Sequence, residues 1–276
     1  MPICRVCGAS AALEATEYRS HEHVLVRCIH CGTLLTLEKA AAESLAETYS
    51  ALFRSEQNYA PYRHDYECLR QGTLPRDLTR MYYLRKIEYM VRDRDLVEIG
   101  GGTGSFGFLC RSRGWNYTDY DISPDTVEQC RAIGLNARLF RVHEIPPLAP
   151  ASCDAVVMWE VLEHVHEADA LLTAILRALR PGGVFLCSVP NCSPKHLETL
   201  ASWQLVEIPP IHVNFFTRAS LYAVLATHGF VAVHVRHRRL RLPSCNWRSV
   251  KRSVRLLLGL DEAMTLIAWG RKPKTA

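Results

Sequence analysis

Leu96-Val97-Glu98-Ile99-Gly100-Gly101-Gly102-Thr103-Gly104 is the stretch on which the reading of this chain turns. It reads as a buried strand with an acid near its end, a glycine-rich turn, and a helix that begins near Ser105. Glycines remove side chains so that backbone can approach a ligand, and the helix N-terminus offers free N–H groups. Taken alone, such a turn would suit the pyrophosphate of NAD or FAD. Its G-x-G-x-G form behind Glu98 differs from the G-x-G-x-x-G dinucleotide pattern, however. An acid facing the ligand suits a cationic amino group and repels a phosphate. About twenty residues on, Tyr120-Asp121-Ile122 closes a second strand with a carboxylate placed to accept ribose hydroxyl protons. The competing reading of Asp121 as a helix cap is weakened by Ser123, which stands just before Pro124 and caps better.

Outward from this unit, short apolar runs alternate with helical patterns. Strands are expected at Asp95–Ile99, Tyr117–Tyr120, Ala137–Phe140, Ala155–Met158 and Val184–Val189, and helices at Ser105–Arg113, Pro124–Ile133, Ala168–Leu179 and Arg218–His228. Two last strands fall near Val231–Arg236 and Met264–Trp269. That layout is a parallel sheet with helices on both faces. Ahead of it, Asp77 can cap a helix running to about Arg92, with Met81, Leu84, Ile87 and Met90 or Val91 on one face. Residues 37–77 read as a polar, helical connector packing over the next domain, with breaks at Pro61 and at Gly72 to Pro75.

The first 36 residues read differently, as short strands and turns. Cys4-Arg5-Val6-Cys7-Gly8 and Cys28-Ile29-His30-Cys31-Gly32 are two C-x-x-C knuckles. One tight turn of this kind presents two thiolates together, and Zn²⁺ takes four soft ligands tetrahedrally. The glycine after each pair permits the left-handed backbone such a turn needs. Tyr18 to Arg27 supplies a hairpin between them. A structural zinc ribbon with Cys4, Cys7, Cys28 and Cys31 as ligands is the expectation; being closed, it folds the module and leaves no open position for chemistry.

Composition bounds the remaining choices. With 276 residues, 48% hydrophobic and 22% charged, the chain has enough apolar material for one sizeable core, which excludes disorder as the main state. The eleven cysteines include several lying singly in apolar segments, unlike a secreted disulfide framework. Met1 to Cys4 lacks the parts of a secretion signal, and the longest uncharged run, Ala219 to Val235, is interrupted by His228, Gly229 and His234. A soluble, cytoplasmic protein is expected. The net charge of +5 is uneven: between Ile208 and Leu260 there is no Asp or Glu but nine Lys or Arg, leaving 24 basic against 28 acidic residues elsewhere. A helix over Trp247 to Leu258 would place Trp247, Val250, Val254 and Leu257 on one side and Arg248, Lys251, Arg252 and Arg255 on the other. This basic lobe reads as a solvated lid, a contact to anionic lipid or a phosphorylated acceptor, or a nucleic-acid surface.

Taken together, these segments resemble the class I S-adenosylmethionine-dependent methyltransferases, the broad group that includes ubiquinone-pathway O-methyltransferases and sugar methyltransferases. The resemblance rests on Glu98 to Gly104, Asp121, the run Cys153 to Val165, Leu179-Arg180-Pro181-Gly182-Gly183, Ser188-Val189-Pro190-Asn191, and His212 to Thr217 with Gly229-Phe230 beyond it. It covers roughly residues 75–274 and is specific for the cofactor but hardly for the acceptor. It implies an α/β, Rossmann-like, seven-stranded, mostly parallel sheet over residues 78–276, with acceptor-side insertions near 191–217 and 237–260. It also implies that Gly100, Gly101, Gly102 and Gly104 hug the methionine and ribose, that Glu98 lies under the methionine amino group, and that Asp121 and Ile122 meet the ribose. Val142 and His143 fall where the family cups the adenine, although many relatives carry a small residue and an acid there. Trp159 would wall the cofactor or serve as a core aromatic.

Methyl transfer is an in-line displacement at a sulfonium-activated carbon, and a base is needed only if the nucleophile must lose a proton. His164 and His212 are the candidate bases. Against them stand a loop-capping role for His164 and packing beneath Phe215 and Phe216 for His212. Glu160, Glu163 and His164 also match an E-x-x-E-H pattern that some quinone-pathway relatives use for a divalent metal. No N-P-P-Y motif of exocyclic-amine methyltransferases follows the fifth strand, and Cys192 follows Asn191 instead of the proline of cytosine-C5 chemistry. The expectation is an enzyme methylating oxygen or carbon on a small-molecule or glycan- or lipid-type acceptor. The alternative is an RNA methyltransferase gripping phosphates with the ribbon and the basic lobe.

Overall fold

Asp77 opens the larger part of the fold as its position suggests: its Oδ1 accepts from the backbone N–H groups of Thr79 (2.9 Å) and Arg80 (3.0 Å), capping a helix over Leu78–Met90. The computed structural model describes residues 3–10, 13–20, 23–37, 56–75, 77–193, 196, 211–238 and 264–274. The basic helix expected over 247–258 and most of both expected insertions lie outside the described residues.

In chain order the strands are β1 (Leu13–Ser20), β2 (His23–Cys28), β3 (Leu34–Thr36), β4 (Asp95–Ile99), β5 (Asn116–Asp121), β6 (Ala137–Leu139), β7 (Cys153–Trp159), β8 (Leu179–Pro190), β9 (Asn214–Phe215), β10 (Val231–His237) and β11 (Thr265–Arg271). The helices are α1 (Glu56–Arg70), α2 (Leu78–Met90), α3 (Ser105–Ser112), α4 (Pro124–Ala132), α5 (Ala168–Ala178) and α6 (Arg218–Thr227). A 3₁₀ turn spans Leu162–His164.

A seven-stranded sheet runs in the order β10-β11-β8-β7-β4-β5-β6. The five strands from β8 to β6 are parallel, and β11 is antiparallel to both β8 and β10. All seven residues of β7 are buried, as befits a strand covered on both faces. The strand starts earlier than the apolar run suggests for β8, because Leu179 already pairs with Cys153 before Gly182, at φ +81°, breaks the register. Ser123 caps α4 through Thr126, and Thr217 and Ser220 form a reciprocal capping box on α6.

Two expectations about the connector fare differently. Helix α1 runs through Pro61 without stopping. Gly72, at φ +74°, does end it: Gly72 donates to the Leu69 carbonyl and Thr73 to the Cys68 carbonyl, a left-handed helix stop.

The N-terminal strands form a second sheet in the order β1-β2-β3-β9, all antiparallel. Its fourth strand comes from the far part of the chain, with Leu34 opposite Phe215 and Leu35 opposite Asn214. Val6, Val26 and Leu35 consequently share one apolar core with Leu162, Phe216, Leu221 and Val224. The N-terminal sheet is therefore welded to the large sheet's helical layer.

Candidate functional site

The carboxyl ends of β4, β5 and β7 meet around the glycine turn. Gly100, Gly102 and Gly104 all have left-handed backbones, at φ +78°, +56° and +78°. A Cβ on Gly100 would lie 2.6 Å from Val161, so the turn is pressed against the segment after β7. At Gly102 a Cβ would meet nothing within 4 Å, and the backbone there borders open space. A ligand laid against this turn meets peptide groups and the N-terminus of α3.

Three carboxylates lie beneath and beside the turn. Asp121, 7% exposed, accepts from Ser123 N–H (2.9 Å) and Gly102 N–H (3.4 Å). Glu98 is 1% exposed and accepts a 2.5 Å hydrogen bond from the Tyr117 hydroxyl; burial raises its pKa to about 7. Asp119 was not anticipated from sequence. It sits two residues before Asp121, on the same face of β5, and the i, i+2 period of a strand was the signal available. It is fully buried, accepts from Gly101 N–H at 3.0 Å, and its Oδ2 has no hydrogen-bond partner among the described residues. Burial and the neighbouring Asp121 push its pKa well up. A Cβ at Gly101 would lie 2.7 Å from this carboxyl group, which explains that glycine.

Arg80 was also missed. Reaching over from α2, its Nη1 donates to Ser105 Oγ (2.5 Å), and its guanidinium carbon stands 5.7 Å from the Trp159 ring. Its charge opposes the upward shift of Glu98. A guanidinium and a carboxylate on one mouth match the carboxylate and ammonium of an amino acid.

Trp159 is 9% exposed, edge-on to Phe106 (5.5 Å) and Tyr83 (6.4 Å). It is thus packed among core aromatics, yet it also lines the recess bounded by Arg80, Glu160, Ser188 and Arg238. Glu160 follows it at φ +53°, and its Oε1 accepts from Ser188 Oγ at 2.6 Å. The segment after β6 begins beside Asp121, whose carbonyl accepts from Phe140 N–H. There Val142 and Ile122 are half-buried, and His143, at φ +65°, has Nδ1 3.3 Å from Glu167.

His164 and His212, 48 positions apart by number, come together with ring centroids 4.6 Å apart. His164 Nδ1 lies 2.9 Å from the Ile211 carbonyl, which assigns the proton to Nδ1 and leaves the Nε2 lone pair outward. Burial lowers its pKa to about 4, and burial with the neighbouring His164 lowers that of His212 to about 2. Both rings are neutral at pH 7. Glu163, 1% exposed, has an oxygen 3.8 Å from His164 Nε2, and neither of its oxygens accepts a hydrogen bond among the described residues. Burial and the nearby Glu160 raise its pKa well above the ordinary range. One ligand atom each from Glu163, His164 and His212 lie within 4.8 Å of one another, so the trio has the donor set for a divalent cation, while Glu160 of the E-x-x-E-H pattern is turned to Ser188.

At the N-terminus, Cys4, Cys7, Cys28 and Cys31 are buried with all four sulfurs within 4.8 Å. The two knuckles share one backbone plan: Gly8 donates to the Cys4 carbonyl and Gly32 to the Cys28 carbonyl, each at 2.8 Å, with φ of +70° and +73°. Hydrogen bonding from Cys31 lowers the Cys4 thiol to about 5, whereas burial raises Cys7 to about 12. Thiolates so close cannot all ionise without a cation between them, and the donor set suits Zn²⁺. From the first knuckle, Arg5 donates to Asn214 Oδ1 (3.2 Å), Thr36 Oγ1 (3.2 Å) and the Val213 carbonyl (2.7 Å). Asn214 in turn donates to the carbonyls of Leu162 (3.1 Å) and Val165 (2.7 Å), and Val213 N–H to the Glu163 carbonyl. The cysteine cluster is thereby clamped onto the loop that carries Glu163 and His164.

Among known proteins, the chain is 30% identical over 169 residues to a Mycolicibacterium smegmatis protein named "Probable S-adenosylmethionine-dependent methyltransferase", covering 58% of this chain and 63% of that one. It is 31% identical over 120 residues to a Xanthomonas oryzae ubiquinone biosynthesis O-methyltransferase, covering 40% and 50%. The chain thus spans between half and two thirds of the length of these curated relatives. The solved structure of Haemonchus contortus phosphoethanolamine N-methyltransferase 2 with S-adenosyl-L-methionine shares the fold, at TM-score 0.56 and 15% identity over 87% of this chain and 62% of that one. No helix among the described residues is long and apolar enough to cross a membrane. The family model described as a methyltransferase domain matches residues 68–235, more than half the chain, and the protein belongs to that family.

Proposed function

We propose that the protein is an S-adenosylmethionine-dependent methyltransferase acting on oxygen or carbon of a small-molecule or glycan- or lipid-type acceptor. The observation that carries this reading is the side-chain-free turn at Gly100 to Gly104, with Glu98 and Asp121 buried on adjacent strand ends and Arg80 opposite. S-adenosylmethionine, when bound, supplies an electrophilic methyl carbon on a sulfonium centre. Glu98 holds the amino group and Arg80 the carboxylate of its amino-acid part, and Asp121, supported by Ile122, takes the ribose hydroxyls. Val142 and His143 border the adenine side, and Trp159 closes the wall toward the acceptor recess and keeps water out.

His164 and His212 act on the acceptor side. A neutral imidazole with Nδ1 tied to the Ile211 carbonyl presents Nε2 as acceptor to an acceptor hydroxyl, orienting its oxygen lone pair. Cys4, Cys7, Cys28 and Cys31 hold a structural zinc ion, and through Arg5 and Asn214 they fix the loop that carries these groups. The cytoplasm, which keeps thiols reduced, suits such a site.

Calorimetric titration of the full chain with S-adenosylmethionine and its demethylated product tests the reading. Binding of both, lost in a Glu98→Ala, Asp121→Ala double variant, is expected. Absence of affinity in a folded, metal-loaded protein would overturn it. Mass spectrometry of extracts incubated with isotopically labelled methyl donor then identifies the acceptor.

A further inference from the structure

A row of cations along β10 and α2 has no part in holding the cofactor. Strand alternation places His234 and Arg236 on one face of β10, the face that α2 and Trp269 of β11 share, and Arg238 lies just past the end of the strand. Lys86 Nζ of α2 stands 3.7 Å from the Trp269 ring centroid, His234 stacks on that ring at 4.9 Å, and the Arg236 guanidinium carbon is 5.6 Å away. Arg238 follows, with Nε donating to Thr79 Oγ1 at the start of α2 (3.3 Å), and it lines the recess with Arg80, Trp159 and Glu160. The row therefore leads from the flank of the sheet to the mouth of the candidate active site.

Among the described residues no carboxylate pairs with Lys86, His234 or Arg236, and the acids of neighbouring elements are engaged elsewhere. Glu88 of α2 binds Arg113 (2.6 Å), Asp77 caps α2 and faces Arg80, and Glu160 holds Ser188. Burial first, and then the neighbouring cations, lower the pKa values of both Lys86 and His234. Like charges gathered around one aromatic ring repel each other at a cost that an anion would reverse.

We propose that this row is a phosphoester site: the acceptor carries a phosphate or pyrophosphate group that seats on Lys86, His234 and Arg236, while its methylated end reaches the recess beside Trp159 and Glu160. The assignment rests on the methyl-transfer reading for the word acceptor but not for the anion site itself. Several donors in line, one of them a forked guanidinium, match the many oxygens of a phosphoester better than a lone carboxylate. Trp269, 3% exposed and covered by the cations, offers no face on which a nucleic-acid base could stack.

The test titrates the full, metal-loaded chain with inorganic pyrophosphate, comparing wild type with Lys86→Gln, Arg236→Gln and the charge-keeping Arg236→Lys. Each neutral variant should weaken binding about tenfold, Arg236→Lys much less, and S-adenosylmethionine affinity should stay within about twofold in all. Pyrophosphate should also move the His234 imidazole resonances toward the protonated form at fixed pH. Sedimentation with phosphatidylcholine vesicles, with and without phosphatidic acid, separates a lipid-borne from a soluble phosphoester, and either supports the site. No pyrophosphate binding at millimolar concentration, or equal binding by all variants, overturns it. So does a single-stranded RNA oligonucleotide that needs Lys86 and Arg236 and is not displaced by pyrophosphate. If S-adenosylmethionine fails to bind while pyrophosphate still discriminates the variants, the proposed function falls and the anion site stands.

Discussion

Replacing Asn214 by alanine should detach the cysteine ribbon from the candidate active site, because that one side chain joins three separate pieces of chain. Its Oδ1 accepts from Arg5, and its Nδ2 donates to the carbonyls of Leu162 and Val165. The residue is 1% exposed, so water cannot take over these roles without opening the structure. Three hydrogen bonds at about 1 kcal/mol each give about 3 kcal/mol, and the Arg5 Nε–H and Val165 carbonyl left behind add about 1–2 kcal/mol more. Burial already lowers the Arg5 pKa to about 10, so this guanidinium has little hydration to fall back on. A loss of about 4 kcal/mol is expected from the urea unfolding of the metal-loaded protein, a large share of the ~5–15 kcal/mol of a typical domain. Metal release to a colorimetric chelator should quicken in the same variant, since the first knuckle loses its anchor. A loss below about 1 kcal/mol with unchanged metal release would refute the view that ribbon and catalytic layer form one cooperative unit.

Affinity for S-adenosylmethionine should depend on pH through Glu98. Its pKa is raised to about 7 by burial and a cationic ligand needs the carboxylate, so affinity should rise up to about tenfold per pH unit as pH climbs to 7 and level off above it; calorimetry in buffers of different ionisation heat checks both the slope and the released proton. Gly101→Ala should abolish the thermal shift produced by the cofactor, because the new Cβ would strike the Asp119 carboxyl at 2.7 Å; adding Asp119→Ser should restore part of it, and no rescue would place the fault elsewhere. Cys28→Ser should reduce bound zinc, about one ion per chain in the parent by mass spectrometry, and lower the melting temperature; equal metal content in both proteins would remove the zinc assignment.

Much of the fold was legible because it is written in short windows. The strand, turn and helix of residues 95–112 show in the apolar run and the glycines, and α2, α4 and α6 announce themselves through Asp77, Ser123-Pro124 and Thr217. The two knuckles show the same way, since a C-x-x-C-G turn is complete within five residues. Caps and turns act over four residues or fewer, so the sequence carries them openly.

What only the tertiary structure decided has no such window. The two-residue strand β9 has no period to detect, and its pairing with β3 depends on which edge the ribbon leaves open. Arg80, Asp119 and the meeting of His164 with His212 each depend on which faces of distant elements compete for burial. The same is true of Lys86, His234 and Arg236, ordinary surface residues in their own segments, which gather around Trp269 only when α2 lies across β10 and β11. Sequence alone set the chemistry of the glycine turn and the thiols, because their geometry is local. Packing set what surrounds them, because burial and Coulomb energy depend on distance in space and not on distance along the chain.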